Sequence, residues 1–494
     1  MIIKKYIIAI DQGTNSSRAA LIDKKGKIVS IVQKKCTSMY PKKNWVEQNP
    51  FELLSSVMEC ISEILENKKI QTQEIISIGI TNQRETVVAW DKETGIPIYN
   101  AIGWQDKRGT AICNKLKRKK LDSYIHKKTG LIIDAYFSAS KIQWILENVP
   151  EAKEKIRQNK LLVGTIDSWI LWNLTEHKVH ATDISNASRT MLYSFQHLDW
   201  DDDLLEIFKI PRKILPKIEA SDAHFGYFKA NDIEIPITSI LGDQQAALFG
   251  QMCFEKGNLK NTYGTGCFLL MNIGEKITYS NNGLLTTVAW KIKGKTTYAL
   301  EGNVFVAGSA IEWLISNLKL VENVVELEKE ITSTKESSAV FIPSFSGLGA
   351  PFWNMKVNGA MFNLNFNTTK EDIIKATLES IAYRTKDIIE VMEADTKQLI
   401  SEINVDGGVS KSNYLLQFQS NILNKLINRG SNVESTILGT AYLSGISSGI
   451  WTINSLKNIK NKKTVFSPKI STQKREKLTE KWTKAVNNLI QFKK

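Results

Sequence analysis

Two stretches leave this chain little freedom in what it can fold into. Residues 6 to 23 (YIIAIDQGTNSSRAALID) set apolar runs on both sides of a small polar loop, which reads as strand, glycine turn, strand. The pattern restarts around residue 250, and residues 258 to 273 (NLKNTYGTGCFLLMNI) repeat the same logic. Asn49-Pro50 supplies an N-cap and first-turn proline for a helix with Leu53, Leu54, Val57, Met58, Ile61 and Leu65 on one face. Residues 75 to 90 (IISIGITNQRETVVAW) read as strand, loop, strand, with the polar NQRE side chains expected to emerge at a strand end facing a cleft. Further on, Thr368-x-x-Glu371 has the form of a capping box opening a long helix through Ile373, Ile374, Leu378 and Ile381. Residues 403 to 409 (INVDGGV) read as a strand running into a Gly pair, ahead of a helix carrying Leu415, Leu416, Phe418 and Ile422. Strands alternating with helices argue for an α/β protein. At roughly 150 residues per domain, 494 residues accommodate two large related halves whose glycine turns are expected to face each other.

With 65 Lys and Arg against 51 Asp and Glu, the formal charge is +14. That excess would suit nucleic acid or an anionic membrane, but the basic residues are scattered and mostly Lys. The clusters at 115–120 (KLKRKK) and 457–463 (KNIKNKK) have no interleaved aromatics for base stacking. A solvated lysine surface needs no partner, so neither nucleic acid nor membrane insertion is expected. Five cysteines without a CxxC pair make neither a disulfide framework nor a zinc site and favour a reducing compartment. His177 and His180 have no third ligand in sequence and are expected on the surface. The start, MIIKKYIIAID, breaks the apolar stretch a secretory leader needs, and no run of about 18 apolar residues exists. A cytoplasmic location is expected.

Three groups of residues point to chemistry. In Asp11-Gln12-Gly13-Thr14-Asn15-Ser16-Ser17-Arg18, glycine permits a tight turn whose N–H groups can meet phosphate oxygens, and the hydroxyls add donors. Asp11 could hold hydrated Mg²⁺, and Arg18 suits a charge-assisted contact to phosphate. The alternative is a hairpin turn with solvated hydroxyls. There is no GxxxxGK[ST], which excludes a Walker-type loop. Thr262-Tyr263-Gly264-Thr265-Gly266 is a second such turn, and with the Asp406-Gly407-Gly408 strand end it suggests a phosphate and nucleoside clamp. The third group is Arg84-Glu85, Trp104-Gln105-Asp106 and Asp243-Gln244-Gln245. A donor fork beside a carboxylate can bracket neighbouring hydroxyls of a polyol while Trp104 covers its carbons. Asp243, after the strand-like run 237–242, stands where a general base reaches a substrate hydroxyl. Taken singly, each reads equally as a surface ion pair or cap.

Together the segments DQGT-x-SSR, NQRET, GDQQAALFGQ, NTYGTGCF and SGLGAPFW, with YFSASKIQWILEN (136–148), resemble the FGGY carbohydrate kinases, in the versions carried by the glycerol-phosphorylating branch. The matches run in the family's order from Asp11 to about Trp451. The resemblance implies two actin-like, RNase-H-type domains with a nucleotide and substrate cleft between them, residues 1–250 for glycerol and phosphate and 251–494 for the adenine nucleotide. It implies that glycerol is held by Arg84, Glu85, Tyr136, Asp243 and Gln244 and covered by Trp104 and Phe268, with Asp243 as the base. It further implies that Thr14, Asn15, Ser16 and Arg18 meet the phosphates of ATP, that Thr265, Gly308, Glu312, Gly408 and Ser412 continue the nucleotide site, and that Asp11 holds Mg²⁺ through water. The partners are then glycerol and ATP or ADP, with a homo-oligomer (dimer or tetramer) expected.

Several positions depart from the family's pattern. Asn15 replaces a Thr, Glu312 stands where Gln is common and Ser412 where Asn is. The usual prolines are absent before Tyr136 (Ile132-Ile133-Asp134-Ala135), and Asn363 replaces a Gly. Asp243, Arg84 and Glu85 are intact. A kinase for another polyol or sugar, and an actin- or chaperone-like ATP-binding protein without a small acceptor, are the rival readings.

Overall fold

The structure is a computed structural model describing residues 4–67, 70–331, 338–345, 347–354, 356–431, 434–459 and 462–492. Ser346, the first residue of the SGLGAPFW segment, and Lys460 and Asn461 of the second basic cluster lie outside the described residues. The chain divides into two compact units, one of Met1–Met252, Thr286–Tyr298 and Ser435–Lys460, the other of Cys253–Leu285, Ala299–Glu434 and Asn461–Lys494.

In the first unit the strands Tyr6–Gln12, Ser16–Asp23 and Ile28–Lys35 form an antiparallel meander. On its other side Tyr6–Gln12 pairs in parallel with Ile75–Asn82, and that strand with Ile233–Gly242. Parallel strands covered on both faces read as continuous apolar runs, and all eight residues of Ile75–Asn82 are buried. One face packs Leu53, Val57, Ile61 and Ile64 of the Pro50–Asn67 helix and Trp169 and Ile170 of Ile166–Leu174 against Ile8, Ile10, Leu21, Ile78, Ile80 and Ile240. Asn49 opens the Pro50–Asn67 helix as its sequence suggests, accepting the Phe51 N–H at 2.9 Å. Met58, expected on the buried face, is instead 40% exposed. It sits five residues past Leu53, about 140° round the helix.

The helices Asp243–Gly250 and Ser435–Ser447 cross at a pair of glycines. A Cβ on Gly439 would lie 1.8 Å from the Ala246 carbonyl oxygen, and one on Gly250 would lie 1.9 Å from that of Ser435. A smaller four-stranded sheet in the same unit contains Val87–Asp91 and Leu161–Thr165.

The second unit repeats the pairing. Leu259–Tyr263 pairs antiparallel with Cys267–Gly274 and parallel with Glu402–Asp406, which is parallel to Leu426–Gly430. An antiparallel strand, Lys463–Phe466, closes the edge. Helices Lys370–Thr396 and Asn413–Leu423 pack in this unit, burying Ile374, Leu378, Ile381, Leu415, Leu416 and Ile422. The capping box lies one residue later than its sequence pattern suggests. Thr369 accepts the Asp372 N–H at 3.3 Å and Asp372 accepts the Thr369 N–H at 2.9 Å, so Asp does what Glu was expected to do. Thr368 spends its hydroxyl on the Asn365 N–H in the preceding turn.

All five cysteines are buried and unbridged. Residues Lys115, Lys117, Arg118, Lys119 and Lys120 are exposed. The histidine expectation needs correcting. His177 is exposed and stacked on Trp172, but His180 is half-buried, with its Nε2 3.1 Å from the Val163 carbonyl oxygen and Trp90 and Trp172 against its ring. Burial holds its pKa down to about 4. Among the described residues no helix is long and apolar enough to cross a membrane.

Candidate active site

Strand pairing brings the two acceptor motifs of the first unit together. Gly242, the last residue of its strand, lies opposite Asn82, the last residue of the neighbouring strand. The chain therefore delivers Asp243 and Arg84 side by side just past the sheet's end. The Arg84 Nε lies 3.2 Å from the Asp243 Oδ1, and its Nη1 donates to the Gln245 Oε1 at 3.3 Å. Arg84 and Glu85 are enclosed, at 2% side-chain exposure each, rather than projecting as the sequence suggests, while Asp243 is 29% exposed. The reachable carboxylate is thus the one expected to take a proton. Asp243 opens the helix Asp243–Gly250, where the Gln244 N–H donates to its Oδ1 at 2.7 Å and the Gln244 Nε2 to its Oδ2 at 3.3 Å.

Glu85 occupies the left-handed region at φ 62°, a conformation costing a non-glycine residue about 1 kcal/mol or more. Its surroundings over-determine it. Buried Arg189 donates from Nε to the Glu85 Oε1 at 2.7 Å, and the Ser138 hydroxyl donates to its carbonyl at 3.2 Å. Lys141, fully buried, donates to the carbonyls of Tyr136, Phe137 and Glu85 at 2.5, 3.3 and 3.5 Å. Burial draws its pKa down to about 8 against the pull of the Glu85 carboxylate. Neither Arg189 nor Lys141 was singled out in the sequence; an ionisable residue inside the apolar-periodic segment SASKIQW was the available signal for Lys141.

Aromatic side chains form a wall in the same unit. Trp104 and Tyr136 meet edge to face with centroids 5.7 Å apart, and Arg189 lies 5.7 Å from the Tyr136 ring centre. The missing prolines before Tyr136 are compensated by Asp134, whose Oδ1 accepts the Tyr136 N–H at 2.9 Å. Asp106, in contrast, is structural. It accepts from Arg108 and from the Val46 N–H at 2.6 Å, while the Arg108 guanidinium lies over Trp45 at 3.8 Å.

The glycine turn of the first unit is held by its carbonyls. The Gly13 N–H donates to the Ser16 carbonyl at 2.9 Å, Gln48 donates to the Thr14 carbonyl at 2.7 Å, and Gln12 to that of Gly13 at 2.7 Å. Gln83 bridges Gln12 and Gln48. Asn15 passes its carbonyl to the Cys36 N–H at 2.9 Å, and the Ser16 hydroxyl accepts from Gln33 at 2.9 Å. Asp11 and Arg18 face each other across the hairpin register. The Trp104 indole N–H donates to the Thr14 hydroxyl at 2.9 Å, linking the aromatic wall to this turn.

In the second unit, the Gly264–Gly266 turn sits against the start of helix Gly308–Ser316. The Gly308 N–H donates to the Gly264 carbonyl at 3.0 Å, and the Ala307 and Ser309 N–H groups to that of Thr265 at 2.9 and 3.1 Å. A Cβ on Gly308 would lie 2.5 Å from the Gly264 oxygen, whereas one on Gly408 would meet nothing within 4 Å, which leaves that backbone open to approach. Exposed Glu312 bonds the Ser316 hydroxyl. Ser412 caps the Asn413–Leu423 helix by accepting the Leu415 N–H at 3.2 Å and donates to Glu328 at 2.8 Å, so its hydroxyl is committed to the fold. Phe268 is half-buried opposite Thr262. Asn363 adopts φ 59°, a left-handed position that Asn tolerates nearly as glycine does, which accounts for its replacing one.

Residues 6–250 match the N-terminal domain model of the FGGY family of carbohydrate kinases, and residues 259–448 match the C-terminal one. A glycerol kinase of Alkaliphilus metalliredigens is 49% identical over 494 residues, with 99% of each chain covered. Glycerol kinase 2 of Thermotoga maritima is 48% identical over 498 residues, covering 99% of this chain and 100% of its own. The crystal structure of Plasmodium falciparum glycerol kinase with ADP aligns at a TM-score of 0.92 and 37% identity, covering 98% of each chain. This chain belongs to the FGGY family of carbohydrate kinases.

Proposed function

We infer that this chain transfers the γ-phosphoryl group of ATP to a terminal hydroxyl of glycerol, releasing ADP and sn-glycerol 3-phosphate. Full-length relatives at 48–49% identity support the activity, and one observation carries the site reading. It is the partly exposed Asp243 carboxylate held 3.2 Å from an enclosed Arg84, in the unit that also carries Glu85, Tyr136 and Trp104. Asp243 accepts the proton of the attacking hydroxyl. Arg84, Glu85, Tyr136 and Gln244 bind the hydroxyls of the triol, and Trp104 and Phe268 cover its carbons. Phosphoryl transfer is mostly positioning and charge neutralisation, for which Arg18 and the turn at Thr14, Asn15 and Ser16 supply donors. In the second unit Thr265, Gly308 and Gly408 offer backbone to the nucleotide, with Glu312 and Ser412 alongside.

Among the described residues no group of three or more His, Cys, Asp or Glu could hold a metal ion. Mg²⁺ fits here in its usual nucleotide-bound form, which needs one or two carboxylates with phosphate oxygens and water. Asp11, half-buried at its strand's end, is the residue to hold it. Bound there, the ion would neutralise phosphate charge.

The same proposal assigns residues 1–250 to glycerol and phosphate and residues 251–494 to the adenine nucleotide. Five buried, unbridged thiols support action in the reducing cytoplasm, and assembly as a dimer or tetramer belongs to the same proposal. Incubation with ATP and a panel of polyols and pentuloses, with products identified, tests the function. Preference for glycerol and formation of sn-glycerol 3-phosphate are expected. ATP hydrolysis without a phosphorylated acceptor, or preference for another polyol, would overturn it.

A further inference from the structure

The sheet ladder ends at Gly242 opposite Asn82, and the residues expected to react with or hold the acceptor lie just beyond. Something other than strand pairing must fix them. Asp183, fully buried, caps the four-residue helix Ile184–Ala187 by accepting the N–H groups of Ser185 at 3.0 Å and Asn186 at 2.9 Å. Capping would be complete with those two bonds. The carboxylate also accepts from the Ser185 hydroxyl at 2.9 Å, the Asn186 amide at 2.9 Å and the Ser221 hydroxyl at 2.8 Å. Two of these additional donors lead to the strand ends. The Ser185 hydroxyl accepts the Gly242 N–H at 2.9 Å. Asn186 and Asn82 exchange amide hydrogen bonds at 3.0 and 3.1 Å, and Asn82 also donates to the Gln83 carbonyl at 2.9 Å. Space around Gly242 is tight, since a Cβ there would lie 2.7 Å from the Arg84 Cδ. A carboxylate only accepts, so these donors have one possible sense each and the network has a single hydrogen-bond arrangement.

We propose that Asp183 is a positioning residue for phosphoryl transfer, fixing the strand end before Asp243 through Ser185 and the strand end before Arg84 and Glu85 through Asn186 and Asn82. This rests on the acceptor-site reading above. A control lies nearby. Asp167 is equally buried, but it accepts from the hydroxyls of Thr165 and Thr182, both at 2.5 Å, rather than from Ser185 or Asn186.

The test compares Asp183→Asn, Ser185→Ala and Asp167→Asn with the parent enzyme, measuring kcat, the glycerol KM, the ATP KM and the folded fraction of each. Displacing reacting groups by about an ångström can cost 10²-fold. Per folded molecule, kcat/KM for glycerol should fall about 100-fold in Asp183→Asn and about tenfold in Ser185→Ala, but within about twofold in Asp167→Asn. The ATP KM should stay near the parent's value in all three. Should Asp183→Asn fail to fold, Ser185→Ala, which removes one hydroxyl, still decides. Losses in Asp183→Asn or Ser185→Ala no larger than in Asp167→Asn overturn the proposal. Asp243→Asn in the same series separates the two readings: an active Asp243→Asn means the base is misassigned, whereas an inactive one beside unaffected Ser185→Ala refutes only the positioning role.

Discussion

Lys141 offers a prediction whose size follows from its surroundings. Its ammonium is fully buried, with one N–H for each of three backbone carbonyls. Burial lowers its pKa from 10.5 to about 8 in the fold. Below pH 8 both folded and unfolded chains carry the proton, and the burial cost is fully present. Between about 8 and 10.5 the folded amine is neutral while the unfolded chain still binds a proton, so unfolding takes one up and stability rises with pH. A difference of 2.5 units corresponds to about 3 kcal/mol at 1.36 kcal/mol per unit. Lys141→Met removes this titration and takes the ammonium away from three carbonyls, of which that of Glu85 keeps the Ser138 hydroxyl. Denaturant unfolding of both proteins from pH 7 to 10.5 is the assay, and the parent should gain about 3 kcal/mol on the variant across that range. The variant's glycerol KM at pH 7 should rise about tenfold, because the carbonyls that lose the ammonium belong to Glu85, Tyr136 and Phe137. A stability difference independent of pH, with an unchanged KM, would refute the reasoning.

Shortening Trp104 to Ala removes the edge contact with Tyr136 and the indole bond to the Thr14 hydroxyl, so the glycerol KM should rise. An unchanged KM in steady-state kinetics would remove Trp104 from the pocket. Gly439→Ala forces a methyl into the crossing with the helix that begins at Asp243, 1.8 Å from the Ala246 oxygen. Overpacking of this kind costs about 1–3 kcal/mol or more, read as a lower unfolding midpoint, with kcat falling alongside as the Asp243 helix is displaced. A normal midpoint and kcat would mean the crossing relaxes freely.

Much of the fold was legible because its signals are local. Continuous apolar runs on either side of a glycine turn mark the first strands of each unit, and Asn49-Pro50 starts its helix where such a pair should. Errors arose where chemistry or angle differs slightly, as at the Thr369–Asp372 cap and the exposed Met58. Individual residues of the site were visible as motifs, but the Arg84–Asp243 contact depends on the register that sets Asn82 against Gly242, and no spacing along the chain encodes it. Lys141, Arg189 and Asp183 were missed for a related reason. A lysine reads as a surface charge and an Asp before a short helix as an ordinary cap until tertiary packing encloses them.

The central claim is that Asp243 takes the proton from the acceptor hydroxyl. Its most direct test is Asp243→Asn, assayed for glycerol binding by calorimetry and for kcat at saturating ATP and glycerol. Glycerol binding should persist, while kcat should fall at least about 100-fold, the low end for loss of a general base. Turnover near the parent's rate would contradict the account.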